Sequence, residues 1–209
     1  MSEFSLIIGN KNASSWSMRP WLVMKEAGLV FHEVLVDLFS DVREAEILKL
    51  NPAGRVPALR HGNQLIWDSL AICEYIAEIA AEKHLWPEDR ATRAHARSIS
   101  AEMHAGFPTV RGQMPMACLQ TFPPPKLEGR LGWEVDRICQ IWRQCLETYG
   151  GPYLFGHFTI ADAMYAPVVS RFKTYQVLLE APLEAYAERM LEHTAMKDWF
   201  QECIPTDVE

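Results

Sequence analysis

The apolar pattern of this chain changes character once, near residue 84, and that change constrains the fold more than any other feature. Before it, short apolar runs alternate with amphipathic ones. Residues 4–9 (FSLIIG) read as a buried strand, followed by a helix from Ser17 to Ala27. Pro20 is tolerated in that helix's expected first turn, and Gly28 is its stop signal. Residues 32–37 alternate charged and apolar side chains, the mark of a half-buried strand. A short helix from Val42 to Leu50 ends before Asn51-Pro52-Ala53-Gly54. Residues 56–60 and 64–67 read as short strands around a His61-Gly62-Asn63 turn. A helix capped by Ser69 then runs to Ala81. The order β-α-β-α-β-β-α is complete by residue 83.

Beyond the segment His84-Leu85-Trp86-Pro87-Glu88-Asp89 the pattern is helical only. One helix starts near Arg90 and passes Met103. Pro108 and Pro115 predict a kink or break between Gly106 and Met116. Pro123-Pro124-Pro125 marks a loop. From Leu131 to Tyr149 an apolar stripe steps by four and three. The helix from Ile160 to Phe172 is apolar almost all round, so it is expected at the centre of the helical part. Ahead of it, Thr159-Ile160-Ala161-Asp162 has the spacing of a capping box. Residues 182–191 and 194–202 read as the last helices. The pattern therefore predicts an α/β domain over residues 1–83, a linker over 84–89 and an all-α domain over 90–209.

Composition sets the outer limits. A chain of 209 residues, 49% of them hydrophobic, can build one large core or two small ones. A formal net charge of -7 argues against a nucleic-acid-binding face, which would be basic. No apolar run approaches the roughly 18 residues of a membrane span. Met1-Ser2-Glu3-Phe4 lacks the basic start and long apolar stretch of a secretory signal. A cytoplasmic protein without nucleic-acid or membrane partners is expected. Cys73, Cys118, Cys139, Cys145 and Cys203 are odd in number and contain no Cys-x-x-Cys spacing, which reads as reduced thiols. His95 and His104 have no partners at metal-ligand spacing, so no metal is expected.

Three segments carry chemistry. Val56-Pro57 opens a short strand, where proline offers no N–H to a ladder. A cis peptide at an exposed edge resolves this and leaves the Val56 N–H and C=O free for a peptide-like ligand; an ordinary loop proline is the bland alternative. Asp68-Ser69 opens a helix, whose N-terminal N–H groups favour a carboxylate. Ser69 could donate to that carboxylate while Asp68 accepts from an ammonium group, so an amino-acid end would fit. A plain helix cap is the alternative. Ser14 and Ser15 lie at a strand-to-helix turn without the Gly-x-Ser-x-Gly context of a hydrolase. A hydroxyl there can donate to a thiolate, or simply serve the turn. A free thiol is only a few per cent ionised at neutral pH. Lowering its pKa by roughly two units, at about 1.4 kcal/mol each, makes thiolate the main form.

Taken together, these segments resemble the cytosolic glutathione transferases over nearly the whole chain. Asn51-Pro52 with Val56-Pro57-Ala58-Leu59 resembles the family's cis-proline segment. Asp68-Ser69-x-Ala71-Ile72-x-x-Tyr75-Ile76 resembles its acid-serine helix start. Phe155-Gly156-x-Phe158-Thr159-Ile160-Ala161-Asp162 resembles the capping box of its buried helix. The resemblance implies a thioredoxin-like first domain, a helical second domain, glutathione as co-substrate, a detoxifying transfer reaction and a homodimer. Within the family, Ser14, Ser15 and Arg19 match the zeta-class pattern Ser-Ser-Cys-x-x-Arg, with Trp16 in place of the cysteine. By that match Ser14, or Ser15 in its stead, contacts the glutathione sulfur. Val56, beside Pro57, pairs with the cysteinyl backbone. Asp68 and Ser69 hold the γ-glutamyl end. Arg55 either meets the glycyl carboxylate or is solvated.

For the second substrate, Trp16 forms a flat wall beside the sulfur. Met103, Phe107, Arg111 and Met114 are spaced by four, four and three, and share one face if their helix persists. Arg111 in that stripe would meet an acidic group on the acceptor or a structural carboxylate; Arg171 is a weaker candidate. Three functions fit. Glutathione thiolate could attack a small hydrophobic electrophile. It could isomerise an unsaturated diacid of the maleylacetoacetate type, which the loss of the zeta-class cysteine disfavours. Or the fold could serve as a non-catalytic glutathione-binding scaffold.

Overall fold

The computed structural model describes residues 3–204. Residues 1–2 and 205–209, the outer ends of the two expected domains, lie outside the described residues. Strands β1 (Phe4–Gly9), β2 (Phe31–Val36), β3 (Ala58–His61) and β4 (Gln64–Trp67) form one sheet in the order β2-β1-β3-β4. β1 runs parallel to β2 from Phe4 against Phe31, and antiparallel to β3. Successive strand residues face opposite sides. Leu6 and Ile8 therefore enter the large core beneath helices α1 (Ser15–Glu26) and α3 (Ser69–Ile79). Ile7 enters a smaller core with Val36, Ala58 and Ile47 of α2 (Arg43–Leu50). Both faces of β1 are covered, which explains the consecutive apolar residues Leu6, Ile7 and Ile8. This is a thioredoxin-like N-terminal arrangement.

A 3₁₀ turn over Ala81–Lys83 leads into helices only. These are α4 (Arg90–Ala105), α5 (Pro108–Gln113), α6 (Gly129–Tyr149), α7 (Ile160–Thr174), α8 (Ala181–Glu192) and α9 (Thr194–Gln201). α7 is buried along almost its whole length and packs against α1 and α4. Its start is held by Asp162, whose Oδ2 accepts from the Thr159 N–H at 2.8 Å and hydroxyl at 3.0 Å. Asp162 Oδ1 accepts the Leu154 N–H at 3.0 Å and the Tyr186 hydroxyl at 3.2 Å.

Several element ends differ from the sequence reading, and each has a local cause. α1 begins at Ser15 rather than Ser17, so Pro20 lies beyond its first turn and offers no N–H to the Trp16 carbonyl. β3 begins at Ala58, because Val56 and Pro57 precede the ladder. α3 is capped by Asp68 rather than Ser69: Asp68 Oδ1 accepts the N–H groups of Leu70 (2.9 Å) and Ala71 (3.2 Å). α4 stops before Gly106, whose ψ of -170 leaves the helical region, and Pro108 bars Phe107 from continuing the helix. Phe107 then takes a left-handed conformation, φ 59, and α5 starts afresh at Pro108.

Candidate active site

Two cavities meet at Trp16 and Val56. The smaller, about 210 Å³, lies against α3 and the segment before β3, and its walls include Asn51, Arg55, Pro57, Asp68 and Ser69. The larger and more open one, about 610 Å³, is lined by Ser14, Ser15, Phe39, Arg111, Met116 and Arg171. Trp16 and Val56 belong to both walls. A ligand spanning the two would place its middle beside the serines.

The small cavity is built by two short devices. Buried Asn51 donates from Nδ2 to the Arg55 carbonyl (2.7 Å) and accepts the Ala53 N–H at Oδ1 (3.1 Å). This folds the turn that delivers Arg55 and Val56 to the edge of the sheet. The Val56–Pro57 peptide is cis. No described residue pairs with the Val56 N–H or C=O. On the other side, Asp68 sits at φ 76, with Oδ1 committed to the helix start. The Ser69 hydroxyl is buried and has no hydrogen-bond partner. A buried, unmatched hydroxyl is costly, so its place in a cavity wall is that of a group awaiting a ligand.

The helical part supplies a residue that the sequence did not reveal. His104, on the last turn of α4, reaches across to Asp68, with Nε2 3.1 Å from Oδ2. Its ring stands edge-on to Trp16 at 5.3 Å between centroids. Burial lowers its pKa below the usual histidine value, while Asp68 works against that shift and Arg19 and Arg111 work with it. His104 Nδ1 is buried and unpartnered.

At the serine loop, Ser14 Oγ donates to Ser17 Oγ at 2.7 Å, and Ser17 Oγ accepts the Gly9 N–H at 3.1 Å. A hydroxyl both donates and accepts. When the Ser17 hydroxyl turns to donate to Ser14, the Ser14 proton is free for an anion in the cleft. In the sequence Ser17 stood out only as the expected start of the first helix. Its spacing of three from Ser14 on a helix start is the signal that places the two hydroxyls together.

Two guanidinium groups flank Trp16, and a third, Arg171, lines the same cleft. Arg19 is buried, lies 4.3 Å from the ring centre, and leaves Nε and Nη1 without partners. Burial, reinforced by Arg171 and Arg111, lowers its pKa to about 9. Arg111 lies 5.4 Å from the same ring, and buried Arg171 donates to the carbonyls of Met114 (2.7 Å) and Pro167 (3.1 Å). Burial, then Arg111, lowers Arg171 to about 10. The cleft is thus positively charged although the chain is acidic.

The break at Gly106 and Phe107 removes the single helix face expected for Met103, Phe107, Arg111 and Met114. Arg111 faces the cleft. Phe107 and Met114 are buried in the large core and do not line it. A residue in a left-handed conformation ahead of a new helix redirects everything after it, so a spacing rule carried across the break fails. Among the described residues no cluster of three or more histidines, cysteines or carboxylates could hold a metal ion. No helix among them is long and apolar enough to cross a membrane.

Residues 13–79 match the family model for the glutathione S-transferase N-terminal domain, and residues 127–202 match that for the C-terminal domain. The chain belongs to the glutathione S-transferase family. Among curated relatives, a probable maleylacetoacetate isomerase of Caenorhabditis elegans is 29% identical over 166 residues, 76% of this chain and 74% of that one. The Rattus norvegicus maleylacetoacetate isomerase is 28% identical over 174 residues, 80% of this chain and 77% of that one. Glutathione S-transferase 1 of Dianthus caryophyllus is 44% identical over 84 residues, 40% of this chain and 37% of that one. A solved Burkholderia glutathione transferase homologue with bound glutathione superposes with a TM-score of 0.71 at 25% identity, covering 95% of this chain and 96% of that one. As a member of this family the chain is a glutathione transferase or a closely related enzyme.

Proposed function

We propose that the small cavity holds glutathione and that the large cleft holds the molecule its sulfur attacks. The observation that carries this reading is the shared wall of Trp16 and Val56, with Ser14 and Ser15 on the cleft side. The γ-glutamyl ammonium would meet Asp68. Its carboxylate would meet the unmatched Ser69 hydroxyl and the N-terminus of α3. The cysteinyl N–H and C=O would pair with those of Val56, as an added strand does. Arg55, exposed at the rim, is within the range of chain that a glycyl carboxylate would reach.

The sulfur then lies at the serine loop. Donation from Ser14, or from Ser15 beside it, stabilises the thiolate over the thiol. The nearby guanidinium groups favour the same charge. Thiolate attack on an electrophilic carbon forms the C–S bond, and the leaving group departs with the electron pair or the adduct takes up a proton. The protein contributes position and charge stabilisation.

A second reading rests on Arg111 and Arg171. Two cations on the wall of the cleft suit an acidic acceptor, and the C. elegans and rat relatives are named as isomerases of such a compound. Thiolate addition to a cis double bond, rotation about the resulting single bond and expulsion of the thiolate would return glutathione unchanged. Trp16, where the zeta-class pattern has cysteine, stands against this reading. The division near residues 84–89 and a homodimer complete the proposal; sedimentation of the purified chain at twice its mass would support the latter, and sedimentation as a monomer would remove it.

The deciding experiment is an ultraviolet titration of bound glutathione in the wild type and Ser14→Ala. A thiol pKa clearly below that of free glutathione, raised again by the substitution, supports thiolate activation. An unshifted thiol, or no binding, would leave a scaffold. Turnover of a neutral aromatic electrophile against a cis-unsaturated diacid separates the two enzymatic readings.

A further inference from the structure

Two cysteines outside the glutathione chemistry stand side by side. Cys118 follows Pro115 and Met116, which line the large cleft, and Cys203 follows α9. Their thiols are within hydrogen-bonding reach of each other. The contact is held from both sides. The Cys118 N–H donates to the Asn12 carbonyl at 3.2 Å, and the Leu119 N–H to Asn12 Oδ1 at 3.0 Å. Cys118 Sγ lies 3.7 Å from the Lys11 carbonyl and 3.6 Å from Ser170 Oγ. The Trp199 indole N–H donates to the same Lys11 carbonyl at 3.0 Å, and Cys203 Sγ lies 3.4 Å from the Trp199 carbonyl. One backbone carbonyl thus anchors both cysteine segments, far apart in sequence as they are.

The other three cysteines are differently placed. Cys73 and Cys145 are fully buried, and burial pushes Cys145 to about 12 and Cys73 higher still. Burial pushes Cys139 to about 11. Cys118 and Cys203 are both partly exposed. The hydrogen bond from Cys203, helped by Ser170, holds the Cys118 thiol below its ordinary value despite burial, while the same contact raises Cys203. The Ser170 hydroxyl, 3.6 Å from Cys118 Sγ, can donate to a thiolate there, which marks Cys118 as the attacking thiol and Cys203 as the resolving one.

We propose that Cys118 and Cys203 form a hydroperoxide-reactive dithiol that closes to an intramolecular disulfide. The Cys118 thiolate attacks one oxygen of hydrogen peroxide. The S–O bond forms, the O–O bond breaks, and the departing hydroxide takes a proton to leave as water. The Cys203 sulfur then attacks the sulfenic sulfur. The S–S bond forms, the S–O bond breaks, and hydroxide leaves as water with the Cys203 proton. Two thiols and one peroxide give one disulfide and two waters. The bond joins the wall of the acceptor cleft to the end of α9, beside the Lys11–Asn12 turn that leads into Ser14.

The test treats the folded full-length protein with hydrogen peroxide, alkylates the remaining thiols and digests with trypsin. Cys118 falls in the peptide 112–126 and Cys203 in the peptide 198–209, each without another cysteine. The expected result is a cross-link between these two peptides, loss of two hydrogens from the intact chain, and reversal by dithiothreitol. Cys203→Ser should instead accumulate a dimedone-reactive sulfenic acid on Cys118. The proposal is overturned if the two cysteines stay alkylatable, if Cys139 oxidises first, or if the cross-links join other cysteines or separate chains.

Discussion

His104 Nε2 stands 3.1 Å from Asp68 Oδ2, joining the end of α4 to the residue that caps α3. Asp68 Oδ1 is already committed to the helix start, so Oδ2 is the oxygen that faces a ligand. His104 fixes the direction in which that oxygen presents its lone pairs. His104→Ala removes one hydrogen bond, worth about 0.5–1.5 kcal/mol, and should raise KM for glutathione roughly 2–10-fold. The kcat at saturating glutathione should hold. A loss of kcat with KM unchanged would instead place His104 on the chemical step.

The same histidine gives a pH dependence of stability. Burial leads the shift of its pKa below the usual 6.5, with Arg19 and Arg111 adding to it and Asp68 opposing. As pH falls through 6.5 the unfolded chain takes up a proton that the folded chain still resists. The unfolded state then binds more protons, so stability falls with pH in that window. His104→Gln removes this contribution. Urea unfolding at pH 7.5 and 5.5 should show the wild type losing more stability on acidification than the variant. Equal losses would mean that Asp68 outweighs burial.

Ser17 should matter through Ser14. Its hydroxyl is held by the Gly9 N–H at 3.1 Å and lies 2.7 Å from Ser14 Oγ. Ser17→Ala strands a buried N–H, at a cost of about 1–3 kcal/mol in stability. It also frees Ser14 to rotate. The pKa of bound glutathione should therefore rise, but by less than in Ser14→Ala. Thiolate absorbance against pH reads both. A larger rise in Ser17→Ala than in Ser14→Ala would move the sulfur contact from Ser14 to Ser17.

What could be read from the chain depended on how local the cause was. The β-α-β-α-β-β-α order, the apolar α7 and the Thr159–Asp162 box follow from periodicities and caps within a few residues of each other. Ser14, Val56, Asp68 and Ser69 were legible because each sits at an element end with its own chemical signature. Met103, Phe107, Arg111 and Met114 share one face only if their helix persists, and it does not: the break that Pro108 marks falls at Gly106 and Phe107, between the first of them and the last two. His104 and the Cys118–Cys203 contact were invisible because their partners lie in distant segments that only the fold brings together.

Arg111 separates the acceptor classes. It is half-buried beside Trp16, and its charge is opposed by burial and supported by Glu134. A charge-assisted hydrogen bond to a carboxylate contributes about 1.5–3 kcal/mol. Arg111→Gln should then lower kcat/KM for a dicarboxylate acceptor by roughly 10–100-fold. A neutral aromatic acceptor should lose far less, and the dicarboxylate preference should weaken as salt rises in the wild type alone. Equal losses for both acceptors would mean that Arg111 shapes the cleft rather than reading its charge.

Asp162 carries the central helix. Its two oxygens accept four hydrogen bonds, from Leu154, Tyr186 and twice from Thr159, with the side chain fully buried. Asp162→Ala leaves two backbone N–H groups, at Leu154 and Thr159, without acceptors in a dry setting. Each unmatched group costs about 1–3 kcal/mol, so the variant should lose roughly 2–6 kcal/mol, a large part of the about 5–15 kcal/mol of an ordinary domain. Asp162→Asn keeps one carbonyl oxygen to accept and should lose less than Asp162→Ala. Urea midpoints measured by circular dichroism would give that order. Because α7 packs against α1, which begins beside Ser14, the Asn variant should also bind glutathione more weakly as it approaches its midpoint. A stable Asp162→Ala with unchanged binding would mean that α7 is held by its apolar contacts alone.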